Sequence, residues 1–171
     1  QRWLGARLDQ ELADRQVDLL DLERKVSVAL EAAGDGLLEY DLRNGAFYGD
    51  RNWLAIFGYA PGELKMPLLR LSDFVHADDI ERLRESYAEH LAGGTPHTTC
   101  EVRMRCRDGG YKWVLTRGRV MERDAAGAPL RILGTVIDLS ERKALEQALE
   151  AARDEAEAAN RAKSQFVANM S

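Results

Sequence analysis

The chain has 171 residues, 45% of them hydrophobic and 31% charged, with aromatics at 7%; this is globular composition, too apolar for a disordered segment and unlike a fibrous or disulfide-scaffold chain. A mass of 19.2 kDa leaves room for one domain of ordinary size plus extra helix, not for two full domains with separate cores. The formal charge of −5, from 24 Lys+Arg against 29 Asp+Glu, supplies no global positive field, so nucleic acid is not an expected partner.

The first segment, 1–30, is dense in charge and carries Leu8, Leu12, Leu19, Leu22 and Val26 at helical spacing. Such a thin stripe suits a two-helix seam better than the wide face a helix needs on a globular core, although Arg15 interrupts it. The same segment has too many charges for a signal peptide, and no stretch of the chain approaches the roughly 20 apolar residues of a membrane helix. The expectation is a soluble, cytosolic piece of a longer protein, with no direct membrane insertion.

From Gly34 the period changes to that of strands. Two short runs flank Asn44-Gly45, a hairpin signal in which both turn positions take positive φ. A short helix over 52–59 stops at Gly58 and Pro61-Gly62, and a second short segment over 68–74 leads to His76. Asp78 and Glu81 have capping-box spacing for a helix over 79–91 with Ile80, Leu83, Tyr87 and Leu91 on its apolar face. Residues 99–107 alternate strictly, Cys100, Val102, Met104 and Cys106 against Glu101, Arg103, Arg105 and Arg107. Both cysteines thus read as reduced, small apolar residues of a strand rather than a disulfide framework. Turns at Asp108-Gly109-Gly110 and Asp124–Gly127 lead into strands over 111–122 and 130–139, completing a meander and, with the hairpin, a five-stranded antiparallel sheet. The fold class is α+β, with short helices on one sheet face. The last strand is apolar on both sides, so its outer face calls for cover by the N-terminal helix or a second subunit.

The final segment is helical. Leu145, Ala152, Ala159 and Phe166 recur every seven residues, as do Leu149, Ala156, Lys163 and Met170, the a and d positions of an Ala-rich seam. Three units follow: an amphipathic helix over 1–30, a domain over 31–140, and a coiled-coil helix over 141–171. Leu19, Leu22, Leu145, Leu149, Ala152 and Ala156 are the expected dimer seam.

Element order and four marks together resemble the PAS fold with its C-terminal PAC half. The marks are Trp53 to Tyr59 followed by Pro61-Gly62-Glu63-Leu64; His76-Ala77-Asp78-Asp79; Asp108 to Val114; and Gly134 through Asp138-Leu139-Ser140-Glu141-Arg142-Lys143. The family's last mark usually reads G-x-x-x-D-I-T-E-R-K, so Leu139 and Ser140 are mild changes, as is Ala77 where Pro is frequent. The resemblance covers roughly residues 26–143. The run from Ala162 to Asn169-Met170-Ser171 is similar to the approach to the phosphoacceptor helix of sensor histidine kinases. The resemblance implies a sensor module upstream of a kinase core in a phosphorelay, with no kinase activity in these residues themselves.

No metal spacing and no nucleophilic triad stand out among His76, His90, His97, Ser72, Asp73 and the cysteines. The family binds flavin, haem or small organic ligands between sheet and helices. Trp53, Phe57, Phe74, Tyr87, Met104 and Cys106 are candidates to line such a pocket, or simply to fill the core. A small organic ligand or none is expected; flavin is disfavoured because no helical Cys run is present, and haem has only His90, near the end of its helix. Asp138, Ser140, Glu141 and Arg142 are the candidate relay residues, with Asp138 and Glu141 again at capping-box spacing and Arg142 the proposed partner of Asp138. A homodimer built through both flanking helices would carry a signal along a rod of about 50 Å.

Overall fold

The computed structural model describes residues 2–68 and 70–171, with side chains from residue 5 onward; Gln1, at the start of the first expected helix, and Leu69, within the expected segment over 68–74, lie outside them. The elements run α1 (Arg2–Ala33), β1 (Gly36–Asp41), β2 (Ala46–Gly49), α2 (Arg51–Ile56), a 3-10 turn (Leu71–Phe74), a second such turn (Ala77–Asp79), α3 (Ile80–Leu91), β3 (Thr98–Arg105), β4 (Tyr111–Arg123), β5 (Pro129–Asp138) and α4 (Ser140–Met170). The strands form one antiparallel sheet, as the alternating runs and tight turns lead one to expect, in the order β2-β1-β5-β4-β3.

The inner sheet face presents Leu38, Phe47, Cys100, Val102, Met104, Val114 and Val136, all buried. Trp53 of α2 packs onto it, fully buried, with ring centroids 5.3 Å from Phe47, 4.8 Å from Phe57 and 6.1 Å from Phe74. Edge and tilted ring pairs of this kind add to the burial term. The close approach depends on glycine: a Cβ on Gly49 would sit 2.6 Å from the Trp53 ring, and one on Gly36 would sit 2.8 Å from the Trp53 Cα. Asp50 caps α2, accepting from the amides of Trp53 at 2.8 Å and Leu37 at 2.9 Å, and so ties the helix to β1.

Two local expectations are corrected. The first hairpin closes through a four-residue loop, with Asp41 paired to Ala46 and the Gly45 amide donating to the Asp41 carbonyl at 2.9 Å. Gly45 alone takes positive φ there, at 73°, and Asn44 instead accepts from the Ala46 amide, so the two-residue turn does not form. The Asp78–Glu81 capping box is also absent among the described residues. His76 Nδ1 accepts from the Asp78 amide at 3.3 Å, Glu81 pairs with Arg84 at 2.5 Å, and α3 starts one residue later than expected. Asp79, 2% exposed, turns inward instead of capping. Of the two covers expected for the outer sheet face, a second subunit or α1, α1 does not supply it among the described residues: Leu37, Leu133 and Thr135 line an open groove of about 440 Å³.

Both flanking helices run as rods. Leu8, Leu12, Leu19 and Leu22 of α1 are 57–60% exposed, and Leu145 and Leu149 of α4 are 66% and 73% exposed. Among the described residues no helix is long and apolar enough to cross a membrane.

Candidate functional site: the exit-helix clasp

β5 passes into α4 at Asp138-Leu139-Ser140. Leu139 is buried at 5% exposure and its amide donates to the Trp113 carbonyl at 2.8 Å, so the first residue off the strand is pinned to β4. Asp138 accepts from Lys112 Nζ at 2.8 Å through Oδ2 and from the Ser140 amide at 2.8 Å through Oδ1. Burial alone would raise the Asp138 pKa, but the bonds from Lys112 and Ser140 outweigh it and hold the carboxyl below its ordinary range. The basic partner of Asp138 is therefore Lys112, one residue before Trp113 on β4, and not Arg142. Among the described residues Glu141 makes no return bond to Asp138, so the second capping box is a one-sided cap supplied by Asp138 alone.

Arg142 reaches Glu101 on β3 instead. Glu101 is paired with both Arg142 and Lys143, the latter at 2.9 Å, and these two cations hold its carboxyl below the usual glutamate range, Lys143 contributing most. Lys143 Nζ also lies 5.1 Å from the Trp113 ring centroid, and Arg103 Cζ lies 5.2 Å from the same ring. The strand alternation explains the convergence, because Glu101 and Arg103 of β3 and Trp113 of β4 all sit on the outer face, with Arg103 paired in register to Trp113.

A second cluster continues from Arg103. Its Nε and Nη2 make a bidentate contact to Asp79 at 2.9 and 3.0 Å, and its backbone amide donates to Asp79 Oδ2 at 2.8 Å. Arg82 adds a bond to Asp79 at 3.1 Å and one to the Glu101 carbonyl at 2.6 Å. The Arg103 hydrogen bond chiefly, against burial, depresses the Asp79 pKa. With the His76 amide donating to the Arg103 carbonyl at 2.8 Å, this loop closes the free edge of β3. A run of charged and aromatic contacts thus joins the start of α3 to the start of α4.

Of the residues expected here, Asp138 and Ser140 meet at the junction and Arg142 lies beside it on Glu101. The seam residues Leu145, Leu149, Ala152 and Ala156 line up along the exposed α4 rod, and Leu19 and Leu22 along α1. Lys112, Glu101, Trp113 and Lys143 were not anticipated. The alternation of β3 marked Glu101 as outward-facing, and Lys112-Trp113 lay in a quoted mark, but nothing in the linear order pairs β3 with the first turn of α4.

The six candidate pocket residues do not surround one void. Trp53, Phe57, Phe74 and Met104 are packed within the core, Cys106 lines a groove with Phe57, Gly58 and Lys112, and Tyr87 lines a separate cavity under α3. Burial pushes the Cys106 thiol up, away from thiolate chemistry. Haem does not fit His90: it is buried, its Nε2 accepts from the Val120 amide at 3.0 Å, and its Nδ1 stands 2.8 Å from the Thr95 carbonyl, so both ring nitrogens are occupied.

A family model described as PAS fold matches residues 46–136. The chain is 29% identical over 173 residues to the peroxide stress-activated histidine kinase mak1 of Schizosaccharomyces pombe, spanning 95% of this chain but 10% of that protein. It is 34% identical over 103 residues to hybrid signal transduction histidine kinase A of Dictyostelium discoideum, spanning 59% of this chain and 5% of that protein. The chain therefore spans a small fraction of the curated relatives it matches. Among solved structures, a sensory box histidine kinase/response regulator from Burkholderia thailandensis E264 superposes with a TM-score of 0.68 at 29% identity, covering 78% of this chain and 98% of that one. Sheet order, helical cover and matched sequence agree, and the chain belongs to the PAS fold family.

Proposed function

We propose that this chain is a sensory and relay module that controls a histidine kinase in two-component phosphorelay signalling, by biasing a dimeric coiled coil. The two curated relatives described above are histidine kinases by name, and the supporting observation is the clasp: α4 leaves the sheet through a buried Leu139, a Lys112–Asp138 pair and the Glu101–Arg142/Lys143 contacts. A change in the position of β3 or β4 is carried to α4 through these bonds, while 31 residues of helix deliver it downstream. The exposed heptad leucines of α4 suit pairing in parallel with a second copy, and the kinase core of the parent chain is the downstream partner. This makes the fragment an input element located in the cytosol and itself without phosphotransfer chemistry. A small organic ligand or a protein partner is the signal, acting by binding one arrangement of the domain more tightly than the other.

A second reading, a ligand-free dimerisation and relay module, is favoured by the closed aromatic core around Trp53. The two are separated by native mass spectrometry of the purified chain, which reveals a co-purified small molecule in the first case. The relay itself is tested in a chimera in which this chain replaces the input domain of a phosphorylation-competent histidine kinase. Glu101→Gln with Lys112→Gln is expected to uncouple kinase output from input while the chimera stays folded and dimeric; unchanged regulation in that variant defeats the proposal.

A further inference from the structure

Asp79 ends the second 3-10 turn and stands directly before α3, yet its side chain makes no cap bond to the helix it precedes. It is 2% exposed, and a carboxylate buried that deeply persists only when its acceptors are met. Two arginines meet them. Arg103 donates through its backbone amide, Nε and Nη2 at 2.8, 2.9 and 3.0 Å, and Arg82 donates through Nη2 at 3.1 Å. The neighbouring Asp78 has an exposed side chain and reaches Arg103 only at 3.4 Å, so it is no substitute.

Each arginine also leads away from α3, and the two paths end on the same residue. The Arg103 guanidinium, held in its plane by the fork of bonds to Asp79, lies over the ring of Trp113, its register partner on β4, with Cζ 5.2 Å from the centroid. Lys143 Nζ lies over that same ring at 5.1 Å. Trp113 thus touches both ends of the first turn of α4, by its carbonyl at Leu139 and by its ring at Lys143. Arg82 starts the second path: it donates to the Glu101 carbonyl at 2.6 Å, and the Glu101 carboxylate holds Lys143 at 2.9 Å with Arg142 beside it.

We propose that Asp79 is a positioning residue for the exit helix, acting through Arg103 on Trp113 and through Arg82 on Glu101, so that a displacement at the start of α3 reaches Lys143 by side chains that lie outside the aromatic core. The inference rests on the reading of α4 as the output rod, and it adds a second place, the entry turn of α3, from which that rod is moved. The sign follows from the order of attachment. An indole set against an immobilised guanidinium has one preferred place on the outer face; an arginine released from Asp79 leaves it several, and Lys143 then loses its aromatic support. Loss of the Asp79 charge therefore loosens the first turn of α4, while the sheet strands remote from Asp79 keep their protection.

Adjacency alone does not establish coupling, whereas non-additivity between Asp79 and Lys143 does. The test is a double-mutant cycle of Asp79→Asn and Lys143→Gln in the full 171-residue chain, read by amide hydrogen exchange in residues 140–146, with β1 and β5 as the internal reference. Asp79→Asn is expected to raise exchange in 140–146 at least about three-fold beyond any change in the reference strands, the size of one partly exposed cation–π contact. In the Lys143→Gln background it should add nothing there. Trp113→Leu should remove most of the effect, whereas Trp113→Phe, which keeps a ring face, should retain it. Should Asp79→Asn fail to fold, Arg103→Lys, which keeps the charge but loses the fork, enters the same cycle with the same expectation. A rise shared equally by 140–146 and the reference strands, as a purely structural role gives, or effects of Asp79→Asn and Lys143→Gln that simply multiply, overturns the proposal. The relay reading fails separately: a non-additive loosening of α4 that leaves kinase output unchanged in the chimera keeps Asp79 as a positioning residue and removes the claim that α4 reports to the kinase.

Discussion

The two helices that flank the domain meet it in opposite ways. At the outgoing end, α4 is gripped by the buried Leu139, by Lys112 on Asp138, and by the paired contacts of Arg142 and Lys143 to Glu101. At the incoming end, α1 stops at Gly34, in a left-handed conformation with φ 71°, and the bonds there are the local ones from Gly34 to Glu31 and from Asp35 to Leu30, joined by a single side-chain bond from Asn52 of α2 to the Asp35 carbonyl at 3.2 Å. Beyond that turn, Leu22, Val26 and Leu30 face Leu37 and Asn52 across a groove of about 580 Å³ rather than packing against them. The contrast assigns different mechanical duties to two helices of nearly equal length. One is a shaft keyed to the sheet; the other is tethered by a few residues and is free to follow whatever it pairs with.

The largest expected disruption of this contrast comes from removing the ground on which both ends stand. Trp53→Ala should cost about 3–5 kcal/mol, because the fully buried indole contacts Phe47, Phe57 and Phe74 and its loss leaves a cavity between α2 and the sheet. Denaturant unfolding followed by near-ultraviolet circular dichroism measures it, and a loss under 1 kcal/mol would show that the aromatic stack carries little.

A smaller, more local effect is expected at the outgoing end. Glu101→Gln removes a partly exposed carboxylate from two cations, a loss of about 1 kcal/mol after screening. It should raise amide exchange several-fold in residues 140–146 while leaving the sheet protected. Lowering the pH reproduces this without mutation. The Glu101 pKa lies below its ordinary 4.5, and that of Asp138 below 3.8, so the contribution of both is complete above those values and is lost as the pH falls through the depressed ones. Exchange in the first turn of α4 should therefore accelerate below about pH 4, and in Glu101→Gln the acid-induced change should be smaller.

The smallest effect sharpens the incoming end. Gly34→Ala places a Cβ in open space, so the cost is confined to the strained φ of 71° and should be about 1 kcal/mol or less. Spin labels on α1 are expected to report a changed approach angle, whereas labels on α4 are expected to report none. A matching change in both helices would remove the distinction drawn here.

The five antiparallel strands and the two flanking helices were legible from alternation, turn residues and heptad spacing, each a local pattern, whereas the order of the strands was not. The errors lie where a side chain chose a distant partner over a near one. Asp78 read as the cap of a helix starting at Asp79 because a capping carboxylate is local, yet the residue with a structural task is Asp79, which takes three donors at 2.8–3.0 Å from Arg103, 24 residues on. Asp138 likewise takes Lys112 from the neighbouring strand, and Arg142 takes Glu101, because the antiparallel register brings β4 and β3 alongside the end of β5. Asn44 and Gly45 marked the right turn, but the loop took four residues and used the Asn side chain as an acceptor rather than a left-handed backbone.

One further consequence follows from gripping α4 at its first turn. A helix of 31 residues extends about 46 Å, so the junction acts as the fulcrum of a long lever. A tilt of roughly 5° at Asp138 sweeps Met170 through roughly 4 Å, close to the ~5.4 Å of a full helical pitch. Sub-ångström rearrangements among Lys112, Glu101 and Trp113 are thereby magnified at the far tip by geometry alone, with no need for the domain itself to change shape visibly.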